Sequence, residues 1–421
     1  MFSLRHAIAI AALLFASAAP RADAASLRLH ASRQAEDSVG VPASRIVAPR
    51  ADTDSLDSAI VARIESVLAR CCDPRATVSV DIADASTGAR LYRLDPKRSM
   101  RPASCQKTIT AWAAACVLGS EFRFRTLLYA DNAVTDSLLH GNLYVYGEMD
   151  PLLSRNDLRT LADSLAACGL RAIAGDIVFD DSYKDHVRAG AGWCWDDDNP
   201  VLTPLLCEGR DILPSTLVEE FERAGIALGG GLRMGFVPDT AVVVGQCAHT
   251  LAAVFQPMLK NSRNICAESV FYALGRHAGR CATALEAAAV IESLVERLGL
   301  RVADYRTADG SGLSLYNYAS AELLCSILVS AWNDEACRRL LLPALPVAGE
   351  DGTLARRMRS GPARGKVRAK TGTLTGVSTL SGFAETADGR TLAFSVFCSG
   401  YLNMTDFHRL QDALCAALTA P

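Results

Sequence analysis

The sequence predicts an α+β protein: one antiparallel sheet built from both ends of the chain, flanked by helices and interrupted by an inserted mixed α/β region. Three observations predict it. Apolar and polar residues alternate as in strands at Thr77–Ala83 and Ala89–Leu94, and again at Lys366–Thr373, Gly376–Ala384 and Thr391–Cys398. Apolar residues at helical spacing fill most of the chain between those two groups. Residues 121–240 mix short strand-like pieces with two helical patterns, as an insert would. With 421 residues, of which 50% are apolar and 21% charged, there is material for two or three packed domains.

The chain opens with a basic start (Arg5, His6), an apolar run at Ala7–Ala19 and a small-residue end at Ala22-Asp-Ala24. This predicts a secretory signal peptide over residues 1–24. The apolar run is too short to span a bilayer, and no later stretch offers ~18 uninterrupted apolar residues. An exported, soluble protein without stable membrane insertion is expected. Residues 25–50 are polar, carry Pro42 and Pro49, and read as a linker.

A helix over Ser55–Cys71 follows from the stripe Ile60, Ile64, Val67 and Leu68. Ala85-Ser-Thr-Gly88 joins the first two strands as a hairpin. In the insert, Arg125–Tyr129, Asn142–Tyr146 and Ile173–Phe179 are expected strands, and Asp157–Cys168 and Pro214–Ala224 expected helices. Beyond it come helical patterns at Leu251–Lys260, Asn264–Gly275, Ala282–Leu298 and Ala319–Trp332. Asp388-Gly389 turns between the last two strands, and a helix at Asp406–Leu418 closes the chain.

A formal net charge of −3, with no Lys/Arg-rich block, gives no support for nucleic-acid binding. The 14 cysteines are scattered, and no disulfide pairing can be assigned from them. Cys116, Cys168, Cys325 and Cys415 fall on apolar helical patterns, where a thiol serves as a small buried hydrophobe. No Cys-x-x-Cys or His-Glu-x-x-His occurs and the seven histidines are dispersed, so neither a metal nor a cofactor is expected.

The chemistry centres on Arg101-Pro-Ala-Ser104-Cys-Gln-Lys107, which opens an Ala-rich helix that stops at Gly119. Ser104 and Lys107 lie one turn apart on the same face. A serine hydroxyl attacks only when a neighbour removes its proton, and a lysine kept neutral by its surroundings can do so. Cys105 points away around the helix and reads as packing. Ser-x-x-Lys alone is a weak signal, but two later segments join it: Ser262-Arg-Asn264 and Lys370-Thr371-Gly372-Thr373. A second Ser-x-Asn, Ser154-Arg-Asn156, precedes a helix and reads as its N-cap. Glu268, one turn after Asn264, reads as structural, and Asp309-Gly-Ser-Gly312 as a turn.

Together the three motifs resemble the serine DD-peptidases and serine β-lactamases. The wider pattern is similar to the penicillin-binding protein 4 type D-alanyl-D-alanine carboxypeptidase/endopeptidases, peptidase family S13, over most of residues 55–420. It includes Gly141-Asn-Leu-Tyr, Gly175-Asp-Ile-Val-Phe-Asp-Asp181, Gly192-Trp-Cys-Trp-Asp-Asp197, Asp309-Gly-Ser-Gly-Leu-Ser and Leu345-Pro-Val-Ala-Gly-Glu-Asp-Gly-Thr353. Two features depart from it: Arg263 stands where Asp is usual, and the insert is shorter.

The resemblance implies a DD-peptidase/serine β-lactamase-like fold. Its transpeptidase-like domain would span 51–120 and 241–421, with the inserted domain at 121–240. It implies a periplasmic enzyme that cleaves D-Ala-D-Ala ends, and possibly cross-links, of peptidoglycan peptides through an acyl-enzyme that β-lactam antibiotics trap. Ser104 would be the nucleophile, Lys107 its base and Ser262 the proton relay. Asn264, Lys370, Thr371, Gly372 and Thr373 would bind substrate, and the N–H groups of Ser104 and Thr373 would hold the oxyanion. Asp197 would meet the cationic end of a diamino acid, although Asp196-Asp-Asp198 also reads as a solvated acidic loop. A β-lactamase sharing the acylation machinery, or a catalytically silent cell-wall-binding protein, are the alternatives.

Overall fold

The computed structural model describes residues 53–279, 281–400 and 403–421. The expected signal peptide and linker lie outside them. The chain enters with helix α1 (Thr53–Cys71), then strands β1 (Thr77–Asp84) and β2 (Arg90–Leu94). A 3-10 turn at Ala103–Cys105 runs directly into α2 (Gln106–Val117). The next stretch holds β3 (Arg123–Ala130), β4 (Val134–Thr135), β5 (Leu138–Leu139), β6 (Leu143–Gly147), α3 (Arg155–Ala167), β7 (Ala172–Ile173) and β8 (Ile177–Asp180). It continues through α4 (Leu213–Arg223), β9 (Ala227–Leu228), β10 (Leu232–Met234) and β11 (Val242–Thr250). Four helices follow after α5 (Leu251–Phe255): α6 (Asn264–Ala278), α7 (Ala284–Arg297), α8 (Ala321–Asn333) and α9 (Glu335–Ala344). The chain ends with β12 (Val367–Leu374), β13 (Val377–Glu385), β14 (Thr391–Ser399) and α10 (Met404–Thr419).

The main sheet has the order β12-β13-β14-β1-β2 and is antiparallel throughout, so the two chain ends meet where β14 pairs with β1. One face is covered by α1 and α10, where Ile60, Ile64, Phe407, Leu410 and Leu414 pack on Val80, Phe394 and Val396. Against the other face lies α8, with Leu324 and Leu328 on Ala83, Ala393 and Phe397, and α2, α5, α6, α7 and α9 share the same core. At their centre is α2, buried over its whole circumference from Gln106 to Ala115. A helix buried all round belongs in the middle of a core, and this one therefore holds its first turn rigidly.

A second sheet, β10-β8-β6-β3-β11, is parallel on one side of β6 and antiparallel on the other, with α3 and α4 packed on it through Leu158, Leu161, Leu217 and Phe221. Through β11 this sheet extends to Thr250. Ser154 caps α3 in a capping box with Asp157, as its position before a helical pattern predicts.

Three elements differ from expectation. Ile173–Phe179 is not one strand: it divides into β7 and β8, which join different sheets. Leu251–Lys260 is not one helix, because after Phe255 the backbone widens into a π turn at Gln256–Lys260 that contains Pro257, a residue with no N–H to continue the ladder. The helix α9, capped by Asp334 and containing Pro343, has no counterpart in the sequence reading. None of the fourteen cysteines is in a disulfide. Cys325 and Cys415 are buried as expected, but Cys116 is exposed near the end of α2 and Cys168 is only half-buried.

Candidate active site

The site forms where the first turn of α2 meets the edge strand β12 and the start of α6. Ala103 adopts φ +47°, a left-handed conformation that folds the chain sharply ahead of the helix. Ser104 follows, half-buried, and Lys107 lies one turn on, wholly buried. Lys107 Nζ is 2.9 Å from Ser104 Oγ, 2.8 Å from Asn264 Oδ1 and 2.7 Å from the Ser311 carbonyl oxygen. A neutral amine has two N–H bonds and one lone pair. With the N–H bonds directed at the obligate acceptors Asn264 Oδ1 and Ser311 O, the lone pair faces the Ser104 hydroxyl.

The strand β12 carries the third motif past this turn. Its first residues are covered by Pro346–Ala348, which bond Val367 and Ala369, and the cover stops there. Beyond it, Gly372 faces the nucleophile turn so closely that a Cβ would lie 2.7 Å from Pro102 O and 3.0 Å from Ser104 N. Glycine is required here by the protein's own backbone, a stricter demand than the approach of substrate. Thr379 of β13 locks the contact by donating to Pro102 O at 2.7 Å. Cys105 is buried with its thiol directed at Lys370 O, as its packing role predicts, and burial pushes that thiol up.

The second motif arrives from the π turn. Ser262 sits at φ +59° and Asn264 is the first residue of α6. Lys370 Nζ, wholly buried, donates to Ser262 Oγ at 2.9 Å and to Thr371 O at 2.7 Å. Arg263, the unusual middle residue, turns outward and donates to the Glu208 carbonyl at 3.0 Å, tying the motif to the insert. Thr371 Oγ1 bonds Thr353 Oγ1, and Thr373 is exposed at the end of the strand.

Burial governs the protonation of both lysines. It pulls Lys107 down to about 8, against the opposing pull of Asp309 and Glu268. It pulls Lys370 down to about 7, with the Lys107 charge adding to the effect. Desolvation is the larger cause of a neutral Lys107, and the repulsion between the two amines falls chiefly on Lys370.

Residues that the motifs do not contain complete the site. Buried Glu268 accepts from the N–H of Gly310 and of Ser311, at 3.3 and 2.8 Å, and burial pushes its carboxyl up to about 8. Asp309 accepts from Gly312 N, Ser314 N and Asn317 Nδ2, each at 2.7 Å. The turn they hold presents Ser311 O to Lys107, and Gly312, at φ +84°, leaves the Ala103 carbonyl room that a Cβ would fill. Glu268 is thus structural and Asp309–Gly312 a turn, as expected, yet both orient the base. For Ser311 the sequence offers only the Asp309-Gly-Ser-Gly-Leu-Ser segment, which marks a turn but not the partner of its carbonyl.

Asp197 stands apart: it is exposed, and its N–H bonds Cys194 O. Its loop is nonetheless moored to the site, since Trp193 Nε1 donates to Asp309 Oδ2 at 2.8 Å and Ser314 Oγ to Ala191 O at 2.6 Å.

Comparison with known proteins agrees with this architecture. The D-alanyl-D-alanine carboxypeptidase of Actinomadura sp. (strain R39) is 28% identical over 441 residues, covering 82% of this chain and 81% of that protein. Penicillin binding protein 4 from Haemophilus influenzae superposes with a TM-score of 0.77 at 22% identity, over 83% of this chain and 98% of its own. A penicillin G-acylated predatory endopeptidase from Bdellovibrio bacteriovorus superposes at 0.57 and 17% identity, over 81% and 91%. The α+β fold expected from the motifs is the one these structures share. The model of one family matches residues 60–205 and 208–420, and with nearly all of the described chain so accounted for, the protein belongs to the D-Ala-D-Ala carboxypeptidase 3 (S13) family.

Proposed function

We propose that this protein is a serine DD-peptidase that cleaves the terminal D-Ala of peptidoglycan stem peptides through an acyl-enzyme on Ser104. The observation that carries the reading is the wholly buried Lys107 amine, 2.9 Å from the Ser104 hydroxyl with its other two bonds fixed. Neutral Lys107 takes the Ser104 proton as Oγ attacks the penultimate D-Ala carbonyl. The oxyanion is held by the N–H groups of Ser104 and Thr373, donors worth roughly 3–4 kcal/mol each in the barrier. As the intermediate collapses, the C–N bond breaks and the proton passes through Ser262, held by Lys370, to the leaving amine. Water then releases the shortened peptide.

Lys370 with Thr371 and Thr373 supplies the charge and hydroxyls that a free terminal carboxylate needs, and Asn264 binds the substrate amide. Asp197, exposed on a moored loop, receives the cationic end of a diamino acid. In this reading 51–120 and 241–421 form the catalytic domain and 121–240 the insert, whose sheet β11 carries on to Thr250. A β-lactam presents a strained amide to the same serine, as the penicillin carried by the Bdellovibrio structure illustrates, and forms a stable adduct. Among the described residues no helix is long and apolar enough to cross a membrane, and the expected leader directs the enzyme to the periplasm.

The test is release of D-Ala from a pentapeptide ending in D-Ala-D-Ala, together with mass spectrometry of penicillin-treated protein. Release that Ser104→Ala abolishes, and a penicilloyl adduct on Ser104 lasting minutes or longer, are expected. Release unchanged in Ser104→Ala would overturn the assignment; an adduct hydrolysed within seconds would favour a β-lactamase.

A further inference from the structure

Away from Ser104, the second sheet brings three ligand-type side chains together. Cys247 and His249 lie two residues apart on β11 and so project from the same face of the strand. The helix α3 packs against β11 and brings its first-turn Asp157 to them. The Cys247 thiol, a ring nitrogen of His249 and a carboxylate oxygen of Asp157 all lie within 4.8 Å of one another. The fourth member is Asp150. It is buried, its Oδ1 accepts from Leu152 N, and its Oδ2 lies 2.7 Å from His249 Nδ1. A carboxylate only accepts, so Nδ1 carries a proton, and in the neutral ring Nε2, 3.9 Å from Asp157 Oδ2, then offers its lone pair on the side of Asp157 and Cys247. A carboxylate behind one imidazole nitrogen, with the other facing a thiol and a second carboxylate, is the arrangement by which proteins orient a metal-binding histidine.

We propose that Asp157, Cys247 and His249 bind one zinc-class divalent cation, with Asp150 as the positioning residue for the imidazole. One nitrogen, one sulfur and one oxygen donor make a set that suits zinc. Bond lengths of about 2.0–2.3 Å in a tetrahedral centre put ligand atoms roughly 3.4–3.6 Å apart. The cluster therefore needs a closure of up to about 1.2–1.4 Å, within reach of side-chain torsions. Asp157 Oδ2, the oxygen 3.9 Å from His249 Nε2, also accepts from Ser154 N and Ser154 Oγ, so the carboxylate must turn to present Oδ1 to the ion. All three ligands are half-buried, so an ion can enter and water can take the fourth position. The Cys247 thiol gives up its proton to solvent as the sulfur–metal bond forms. Bound there, the ion joins β11 to the start of α3. The absence of paired cysteines, which argued against zinc in the sequence, does not bear on a site whose ligands are assembled by strand pairing.

The full exported chain, stripped of metal by a chelator, is titrated with Zn2+ by calorimetry and with Co2+ by absorption. Expected are one ion per chain and a thiolate-to-cobalt charge-transfer band in the near ultraviolet. Cys247→Ser should abolish the band, His249→Gln should remove saturable binding, and Asp150→Asn should weaken binding by about 10–100-fold. Cys168→Ser, outside the cluster, should change nothing, and circular dichroism checks each fold. Where a variant fails to fold, alkylation of the wild-type protein replaces it: Zn2+ should protect Cys247 from iodoacetamide. The proposal fails if no stoichiometric site appears, if Cys247→Ser and His249→Gln bind as wild type does, or if Cys247 is alkylated equally with and without Zn2+. His249 would then be a salt-bridge partner of the two acids and nothing more.

Discussion

Gly372→Ala tests whether the nucleophile is held in place by the edge strand. The backbone there lies outside the left-handed region, so an alanine is resisted by lack of room and not by its own torsions. Its Cβ would stand 2.1 Å from Thr379 Oγ1, 2.7 Å from Pro102 O and 3.0 Å from Ser104 N. The threonine side chain can rotate away, but it then gives up its bond to Pro102 O, which keeps only the bond from Cys105 N, at about 0.5–1.5 kcal/mol. The carbonyl and amide are backbone of the turn that carries Ser104. Restoring ordinary contact requires the turn to retreat by about 0.5–1 Å, and misplacement by 1 Å costs on the order of 10²-fold in rate.

Gly372→Ala should therefore lower the second-order rate of Ser104 acylation by about 10–100-fold, measured by stopped flow with a fluorescent penicillin. It should also lower the unfolding free energy by about 0.5–1.5 kcal/mol, measured by urea denaturation. Thr379→Val, which removes only the hydrogen bond, should reproduce the stability loss with a smaller kinetic effect. Gly231→Ala, whose Cβ would meet nothing nearer than 3.9 Å, should change neither. Acylation of Gly372→Ala within twofold of wild type would refute the reasoning.

Three further predictions follow from charge. Lys107 acts as base only when neutral, and with its amine at about 8 the acylation rate should rise with pH up to about 8 and level off above it; Lys107→Arg should abolish acylation, and a flat profile between pH 6 and 9 would sink the role. Asp81, wholly buried in β1 with Arg90 and Arg93 at 3.5 and 3.6 Å, has its carboxyl pushed up to about 6 by burial. The unfolded chain ionises this carboxyl first, so the native state binds the extra proton and stability falls as pH rises from about 4 to about 6, by on the order of 3 kcal/mol. Asp81→Asn should remove that loss, and urea midpoints that show no gain over wild type between pH 4.5 and 7 would refute it. Asp197→Asn should raise KM for a stem peptide with a diamino acid at the third position and leave KM unchanged for one with a neutral residue there; equal effects on both would remove Asp197 from the substrate site.

Much of the site was legible because its chemistry is local. Ser104 and Lys107 are one helical turn apart, and that spacing alone puts hydroxyl and amine on one face. Ser262, Asn264 and Lys370 were legible only as motifs; nothing in their spacing says that they converge. What could not be read depends on tertiary approach. The carbonyl of Ser311 reaches Lys107 because Glu268 and Asp309 hold a turn in place, and no side chain at position 311 announces it. Gly372, expected to meet substrate, has a second demand on it that no spacing announces, since a Cβ there would crowd Pro102 and Ser104. The fold followed the same rule. Alternation identified β12, β13 and β14 closely, whereas Ile173–Phe179 looked continuous until its halves found partners in two different sheets.

The arrangement around Lys107 explains how a buried amine can both take and pass on a proton without rearrangement. As an ammonium it has three N–H bonds and three acceptors: Ser104 Oγ, Asn264 Oδ1 and Ser311 O. As an amine it keeps the last two and offers its lone pair to the first. Protonation therefore changes which partner donates between Lys107 and Ser104, while the heavy atoms stay where they are, and reorganisation of this kind is what preorganised sites avoid. The same commitment fixes Asn264. With Oδ1 taken by Lys107, the end left free is Nδ2, a donor, and a donor is what a substrate carbonyl requires. Glu268 and Asp309 make the amine possible rather than competing with it. The negative charge of Asp309, joined by that of Glu268 once its own carboxyl ionises near 8, offsets part of the desolvation, so that burial brings Lys107 to about 8 and no lower. A base well below neutral would remain unprotonated but accept the serine proton poorly; near 8 it is neutral often enough to act and basic enough to hold what it takes.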